Sequence, residues 1–317
     1  MDVVAAGFPC TDLSQVGRMA GIDGGQSGLI KEVFRLIDDA PPTWLVLENV
    51  PNMLSLHSGS PIAAVVAWLE ADGWNWAYRT VDSQHFGVRQ RRRRVFLVAS
   101  QSEDPRTVLF ADETSPPYAV AHRHAAYGFY WTEGNRGLGW GPGVTPTLKG
   151  GSAVGIASPP AIWRRDRDAG QAISRPSIEV GERLQGFRAG WTSQVDREGI
   201  RWKLVGNAVT VPVATWLGSR LAEPRPPADV PSRPLPVGSR WPSAAASILG
   251  AREAWSLSER PLARRQRSTL DGLLDEHGWA PLSLGATLGF TTRFKASRLK
   301  QPPGFVEALD AHIDAMA

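Results

Sequence analysis

The chain has 317 residues, 42% of them hydrophobic and 21% charged, enough apolar sequence to bury a sizeable core and too much for a disordered protein. No apolar run reaches the roughly 20 residues of a membrane span, and the first residues lack the basic and apolar regions of a secretory leader, so a cytoplasmic protein with no membrane partner is expected. A single cysteine, Cys10, excludes an internal disulfide and any multi-cysteine metal centre, and His122 and His124 lack ligand-spaced company, so no metal is expected.

In chain order, DVVAAG (2–7) reads as a buried strand, and after a polar loop a helix is expected near 27–39, with Ser27 as its cap. TWLVLE (43–48) is the next strand. A second helix follows near 61–72, with Ser60 as cap, Pro61 in its first turn and Gly73 closing it, and strands near 76–82 and 94–99 complete a catalytic α/β region over 1–100. Such alternation predicts a sheet whose reactive residues lie at strand carboxyl ends, where Cys10 and Glu48 fall. Residues 101–172 turn rich in Gly, Trp, Arg and Pro, as a loop-built recognition region would. Periodic apolar sequence returns within 173–222, at 176–187 and 203–221. Six prolines within 223–239 predict a semi-rigid linker over 223–240, and 241–317 reads as a small helical module with amphipathic segments near 268–277, 283–290 and 303–315.

The net charge of +4 and pI near 9.5 permit a polyanionic partner. Arginine concentrates at 91–94, 164–167 and 260–267, a pattern that suits phosphates and that a solvated surface explains as well. Cys10, in GFPCTDLS (7–14), sits at a strand end behind a stiffening proline, where a thiol can be exposed and its pKa lowered; taken alone, a lone cysteine also fits a small buried hydrophobe. Glu48 in LENV (47–50) ends an apolar strand, where a carboxylate can equally cap the next turn. In QRRRRVFLVA (90–99), strand alternation sets Arg92 and Arg94 on one face and Arg91 and Arg93 on the other.

GFPCTDLS, LENV, QRRRR, RLQGF (183–187) and GNAVTVPV (206–213) stand in the order of the later blocks of DNA cytosine-5 methyltransferases, which the chain resembles over roughly residues 2–220. TPTLKGGS (145–152) resembles a target-recognition segment. The resemblance implies methyl transfer from S-adenosylmethionine to C5 of a cytosine flipped out of double-stranded DNA. Cys10 would add to C6, a protonated Glu48 would meet N3, Arg94 would hold O2 and Arg92 would support the site. Ser14, Gln90, Thr147 and Leu148 would contact DNA, and Pro9, Asn207 and Ala208 the cofactor. The implied fold class is α/β, a Rossmann-like methyltransferase fold incomplete at its N-terminus, with an irregular recognition region and a small C-terminal helical module.

MDVV corresponds to the fourth strand of that fold, and the Gly-rich first strand with its cofactor-gripping acids is not matched. The expectation is a second polypeptide supplying the cofactor-binding lobe, or a truncated reading frame. Thr11 replaces the Gln usual after the cysteine, and Val180 stands where Glu is common, beside Glu179 and Glu182. Other readings are a catalytically incomplete DNA-binding remnant, an RNA cytosine-5 methyltransferase, and a cysteine hydrolase, for which only His85 offers a nearby base. A DNA-modifying role further implies association with the nucleoid.

Overall fold

The computed structural model describes residues 2–8, 28–38, 40–114, 124–133, 137–149, 159–264 and 268–317. Its strands are β1 (Val3–Gly7), β2 (Trp44–Asn49), β3 (Asn75–Asp82), β4 (Arg93–Ser100), β5 (Ala126–Phe129), β6 (Gly141–Pro142), β7 (Ala161–Arg164), β8 (Ile173–Pro176), β9 (Ser232–Pro234), β10 (Ala244–Ile248), β11 (Ala251–Trp255) and β12 (Trp279–Pro281). The chain divides into two compact units, one formed by 1–82, 93–115 and 215–263, the other by 83–92, 116–214 and 264–317.

The first unit is built on a seven-stranded sheet in the order β1-β2-β4-β3-β10-β11-β9. β1 and β2 are parallel, with Gly7 beside Glu48, and the remaining pairs are antiparallel. Alternate residues Leu45, Leu47, Trp76, Tyr78, Val95 and Leu97 join one core with two helices. The helix Gly28–Asp38 contributes Ile30, Phe34 and Ile37, and Ser60–Ala71 contributes Ile62, Val65, Val66 and Leu69, the spacings of a helical face turned inward. Phe34 stacks on Trp68 with centroids 3.7 Å apart, fixing the two helices side by side.

The helix expected to be capped by Ser60 is entered one residue earlier. Gly59 takes the cap position with φ 82°, and a Cβ there would overlap the Trp241 indole, so glycine is needed on both counts.

Strands also stand where a linker and a small helical module were expected. Ser232–Pro234 pairs with β11 at the sheet's margin, where a proline removes no ladder bond from a second neighbour. AAASI (244–248) has helical propensity, yet it pairs with β3, Ala245 opposite Tyr78, because its small side chains bury completely there. The hairpin to β11 turns through Leu249 and Gly250, both at positive φ (50° and 81°), a combination matching a primed turn.

The second unit holds a five-stranded antiparallel sheet, β12-β8-β7-β5-β6. Three of its strands lie within the stretch expected to be loop-built. They have two to four residues each, too short for an alternation signal, and aromatic packing replaces periodicity: Tyr127 on Trp140 at 5.0 Å, and Trp140 and Phe129 against Phe305 at 4.9 and 5.0 Å. The helices Leu270–His277, Leu284–Lys295 and Phe305–Met316 match the three amphipathic segments. His312 is buried, with Nδ1 and Nε2 facing the carbonyls of Ala169 and Leu282 at 2.9 and 2.8 Å.

Candidate active site and its supporting network

Of the expected site residues, Pro9, Cys10 and Ser14 lie outside the described ones. In the first unit, the structure brings Glu48 and Arg94 together. Glu48 lies near the carboxyl end of β2 and Arg94 near the start of antiparallel β4, so strand geometry delivers both to one end of the sheet. Arg94 Nε is 2.8 Å from Glu48 Oε1, and the side chains are 14% and 18% exposed, largely desolvated yet reachable. Arg94 Nη1 donates to the Arg93 carbonyl, which aims the guanidinium. A Cβ on Gly7 would stand 3.3 Å from Glu48 Oε2, so the carboxylate rests against the bare end of β1, three residues before Cys10 in sequence.

Asn49 was not singled out from the sequence, although it stands in LENV. Its amide donates to the Phe8 carbonyl at 3.0 Å and its Oδ1 accepts from Val50 N at 2.8 Å, clamping the chain where it leaves β1 toward Cys10. An Asn beside a site Glu carries no periodic signal; only the parallel pairing of β1 and β2 gives it that partner.

β4 begins at Arg93, so the alternation expected for the four arginines holds only from there on. Arg93 pairs with Glu259. Arg92 lies in the second unit and is buried, donating to the carbonyls of Leu148 at 3.1 Å and Ala208 at 3.0 Å.

Two expected DNA contacts are buried instead. Gln90 is fully enclosed, its amide donating to Leu184 O and Gln185 Oε1 at 3.0 Å each and its oxygen accepting from Leu148 N at 2.7 Å. Leu148 is a core residue packed with Ile162, Ile178 and Leu184. The reason is physical: both amide hydrogens of Gln90 are taken by protein acceptors, and an enclosed leucine presents no open surface. Thr147 is partly exposed, its hydroxyl donating to Arg91 O at 3.0 Å.

Gln185 of RLQGF joins the blocks. Its Nε2 donates to Val205 O at 2.8 Å and Ala208 O at 3.1 Å, while its Oε1 accepts from Thr210 and Gln90. Ser83 donates to Thr210 in turn. Gln90 and Arg92 of QRRRR, Gln185 of RLQGF and Ala208 and Thr210 of GNAVTVPV are therefore joined in one polar network, which Ala208 enters through its carbonyl while Asn207 remains exposed.

Glu182 anchors the loop that follows. Its side chain is 0% exposed and pairs with Arg201, and it accepts from Gly190 N, from Thr192 N at 2.8 Å and from Thr192 Oγ1 at 2.6 Å. Burial pushes its carboxyl up, but these donors and Arg201 together outweigh burial and hold it below the ordinary carboxylate range.

The recess beside Glu48, lined by Phe8, Leu47, Asn49, Met53, Val65, Val95 and Leu97, is apolar and only about 10 Å³, room for a water and not for a nucleoside. These residues do not by themselves fit S-adenosylmethionine. No group of acids, histidines or cysteines among the described residues is arranged to hold a metal, and no described helix is long and apolar enough to cross a membrane.

The family described as C-5 cytosine-specific DNA methylase matches residues 1–125. Type II methyltransferase M2.BsuMI of Bacillus subtilis is 41% identical over 332 aligned positions, covering 98% of this chain and 82% of the relative. Type II methyltransferase M.MspI of Moraxella sp is 25% identical, covering 70% of this chain and 56% of the relative. The crystal structure of S. pombe Dnmt2 methyltransferase superposes with a TM-score of 0.50 at 14% identity, covering 70% of this chain and 78% of that one, and shows a shared Rossmann-like methyltransferase fold. By its 41% identity along nearly its whole length to a type II methyltransferase, and by the family match across β1, β2 and β4, the chain belongs to the S-adenosylmethionine-dependent DNA cytosine-5 methyltransferases.

Proposed function

We propose that the chain methylates C5 of a cytosine flipped out of duplex DNA, through a covalent adduct between Cys10 and C6. The observation that carries this reading is the Glu48–Arg94 pair set against Gly7, on the strand that leads to Cys10. Addition of a thiolate to C6 drives electron density toward N3 and O2 of the ring. A carboxyl and a guanidinium 2.8 Å apart offer two neighbouring groups for those two neighbouring positions, Glu48 at N3 and Arg94 at O2. Arg94 thereby orients the Glu48 carboxyl as well as the base. S-adenosylmethionine supplies the methyl group; loss of the C5 proton and elimination of the Cys10 thiol then restore the aromatic ring. Arg92 acts by fixing the carbonyls of Leu148 and Ala208. Thr147 and Ser14 are proposed to approach DNA, and Pro9, Asn207 and Ala208 the cofactor.

We further propose that a second polypeptide supplies the rest of the cofactor pocket, in keeping with the poor fit of the recess beside Glu48, and that the protein works in the cytoplasm at the nucleoid, where its substrate is. The test is crosslinking to 5-fluorocytosine duplex DNA in the presence of cofactor and that lobe. The chain should form a covalent complex that Cys10→Ala abolishes, and Glu48→Gln and Arg94→Ala should each lower methyl incorporation by roughly 10²- to 10⁴-fold. A complex that persists in Cys10→Ala would overturn the assignment.

A further inference from the structure

The second unit contains a cavity of about 520 Å³ whose lining includes three arginines, Arg89, Arg183 and Arg264. Phe86, Val88, Pro212 and Leu273 give it an apolar floor, of which Phe86, Val88 and Leu273 are buried. Arg183 and Arg264 are exposed at the rim, and Arg89 is half-buried below them. None of the three has an ion-pair partner among the described carboxylates. Arg89 donates to the carbonyls of Ser268 and Gly143, and Arg183 to that of Phe187.

Among the described residues, two of the three fully buried arginines are matched by acids, Arg79 by Glu113 and Arg164 by Asp271 and Asp275. Three guanidiniums around one concave space, with no carboxylate among its described lining residues, repel one another and call for an anion. Arginine is the side chain best shaped to take one as phosphate, through paired N–H donors. Burial already holds the Arg89 guanidinium below its ordinary pKa, as expected for a cation in want of a counter-charge. The volume exceeds that of a bare phosphate, and the apolar floor leaves room for the attached sugar.

We infer that this cavity binds one phosphodiester of the DNA strand, with its sugar against Phe86 and Pro212 and its phosphate among Arg89, Arg183 and Arg264. This rests on the DNA-methyltransferase reading. Arg89 adjoins Gln90, whose amide holds the backbone of Leu148, so a phosphate seated here is tied through one residue to the recognition segment. The cavity would thereby set the register of the duplex without reading sequence.

The experiment is equilibrium binding of the full chain to mixed-sequence duplex DNA across a salt series, for the unaltered protein, Arg183→Ala/Arg264→Ala and Arg183→Lys/Arg264→Lys, with far-ultraviolet circular dichroism confirming folding of each. A parallel series replaces chloride with inorganic phosphate at matched ionic strength. The alanine variant should bind more weakly on all sequences, and the slope of log affinity against log salt should fall by about 1; the lysine variant should restore most of it. Inorganic phosphate should weaken the unaltered protein more than chloride does, and the alanine variant no more than chloride does. An unchanged slope in an alanine variant that binds DNA normally would overturn the inference and leave the methyltransferase reading standing. Arginine-dependent phosphate binding without any change in DNA slope would assign the cavity to free phosphate instead. Absence of salt-dependent DNA binding by the unaltered chain would overturn both readings.

Discussion

Glu182 shows how one residue's surroundings decide its worth. A carboxylate enclosed with two backbone N–H groups, a hydroxyl and Arg201 is stabilised in its charged form even though burial opposes it. Because its folded pKa is lowered, its contribution is present above the unfolded value of about 4.3 and is lost as pH falls through the folded value. Glu182→Gln should therefore cost roughly 2–3 kcal/mol at neutral pH and flatten the acid limb of the stability curve below about pH 4, read by chemical denaturation at several pH values. Equal acid sensitivity in variant and parent would refute this account. Asn49 acts differently, by holding Phe8 at the exit of β1. Asn49→Ala should lower kcat by roughly tenfold, in line with a positioning defect, with little change in KM for DNA; a change in KM alone would move Asn49 out of that role.

Among the elements, the glutamine network is where motif order becomes structure. QRRRR, RLQGF and GNAVTVPV are far apart in sequence, and their spacing says nothing of Gln185 taking Val205, Ala208, Thr210 and Gln90 at once. Gln185→Ala would leave several enclosed donors and acceptors unmatched, each costing about 1–3 kcal/mol, so a drop in the unfolding midpoint of the second unit is expected by calorimetry. The β10–β11 hairpin gives the opposite sign. Leu249 at φ 50° holds a conformation in which a non-glycine residue costs roughly 1–2 kcal/mol and Asn less, so Leu249→Asn should raise the melting temperature by a few degrees. A lowered melting temperature would mean that the exposed leucine has a packing role. Both elements were hidden from pattern reading, the network because its polar residues are enclosed, the hairpin because AAASILG carries no alternation and a leucine is unexpected in its turn.

For the whole molecule, the arginine runs were the strongest hint of a polyanion, and several of their described arginines are taken up by partners within the chain. Arg164 and Arg167 pair with Asp271 and Asp275, Arg93 pairs with Glu259, and Arg92 is buried among carbonyls. Of the run at 260–267, Arg264 lines a cavity with no carboxylate among its described lining residues, together with Arg89, which precedes QRRRR, and Arg183 of RLQGF. Methyl incorporation by the chain alone and with a cofactor-binding lobe tests completeness at this scale. Incorporation only in the presence of the lobe is expected; full activity alone would overturn the second-polypeptide proposal.

By itself, the sequence determined the family, the order of the catalytic blocks and the regular elements around β1–β4, because motifs with fixed chemistry and helices and strands with one apolar face are local patterns. Tertiary structure decided what depends on distant partners: that Glu48 meets Arg94 while Arg92 serves the second unit, that Gln90 and Leu148 are enclosed, that residues 232–255 extend the sheet, and that three dispersed arginines share one cavity. Burial and pairing belong to the folded chain, and a polar side chain's role follows from which of its hydrogen bonds the fold has already filled.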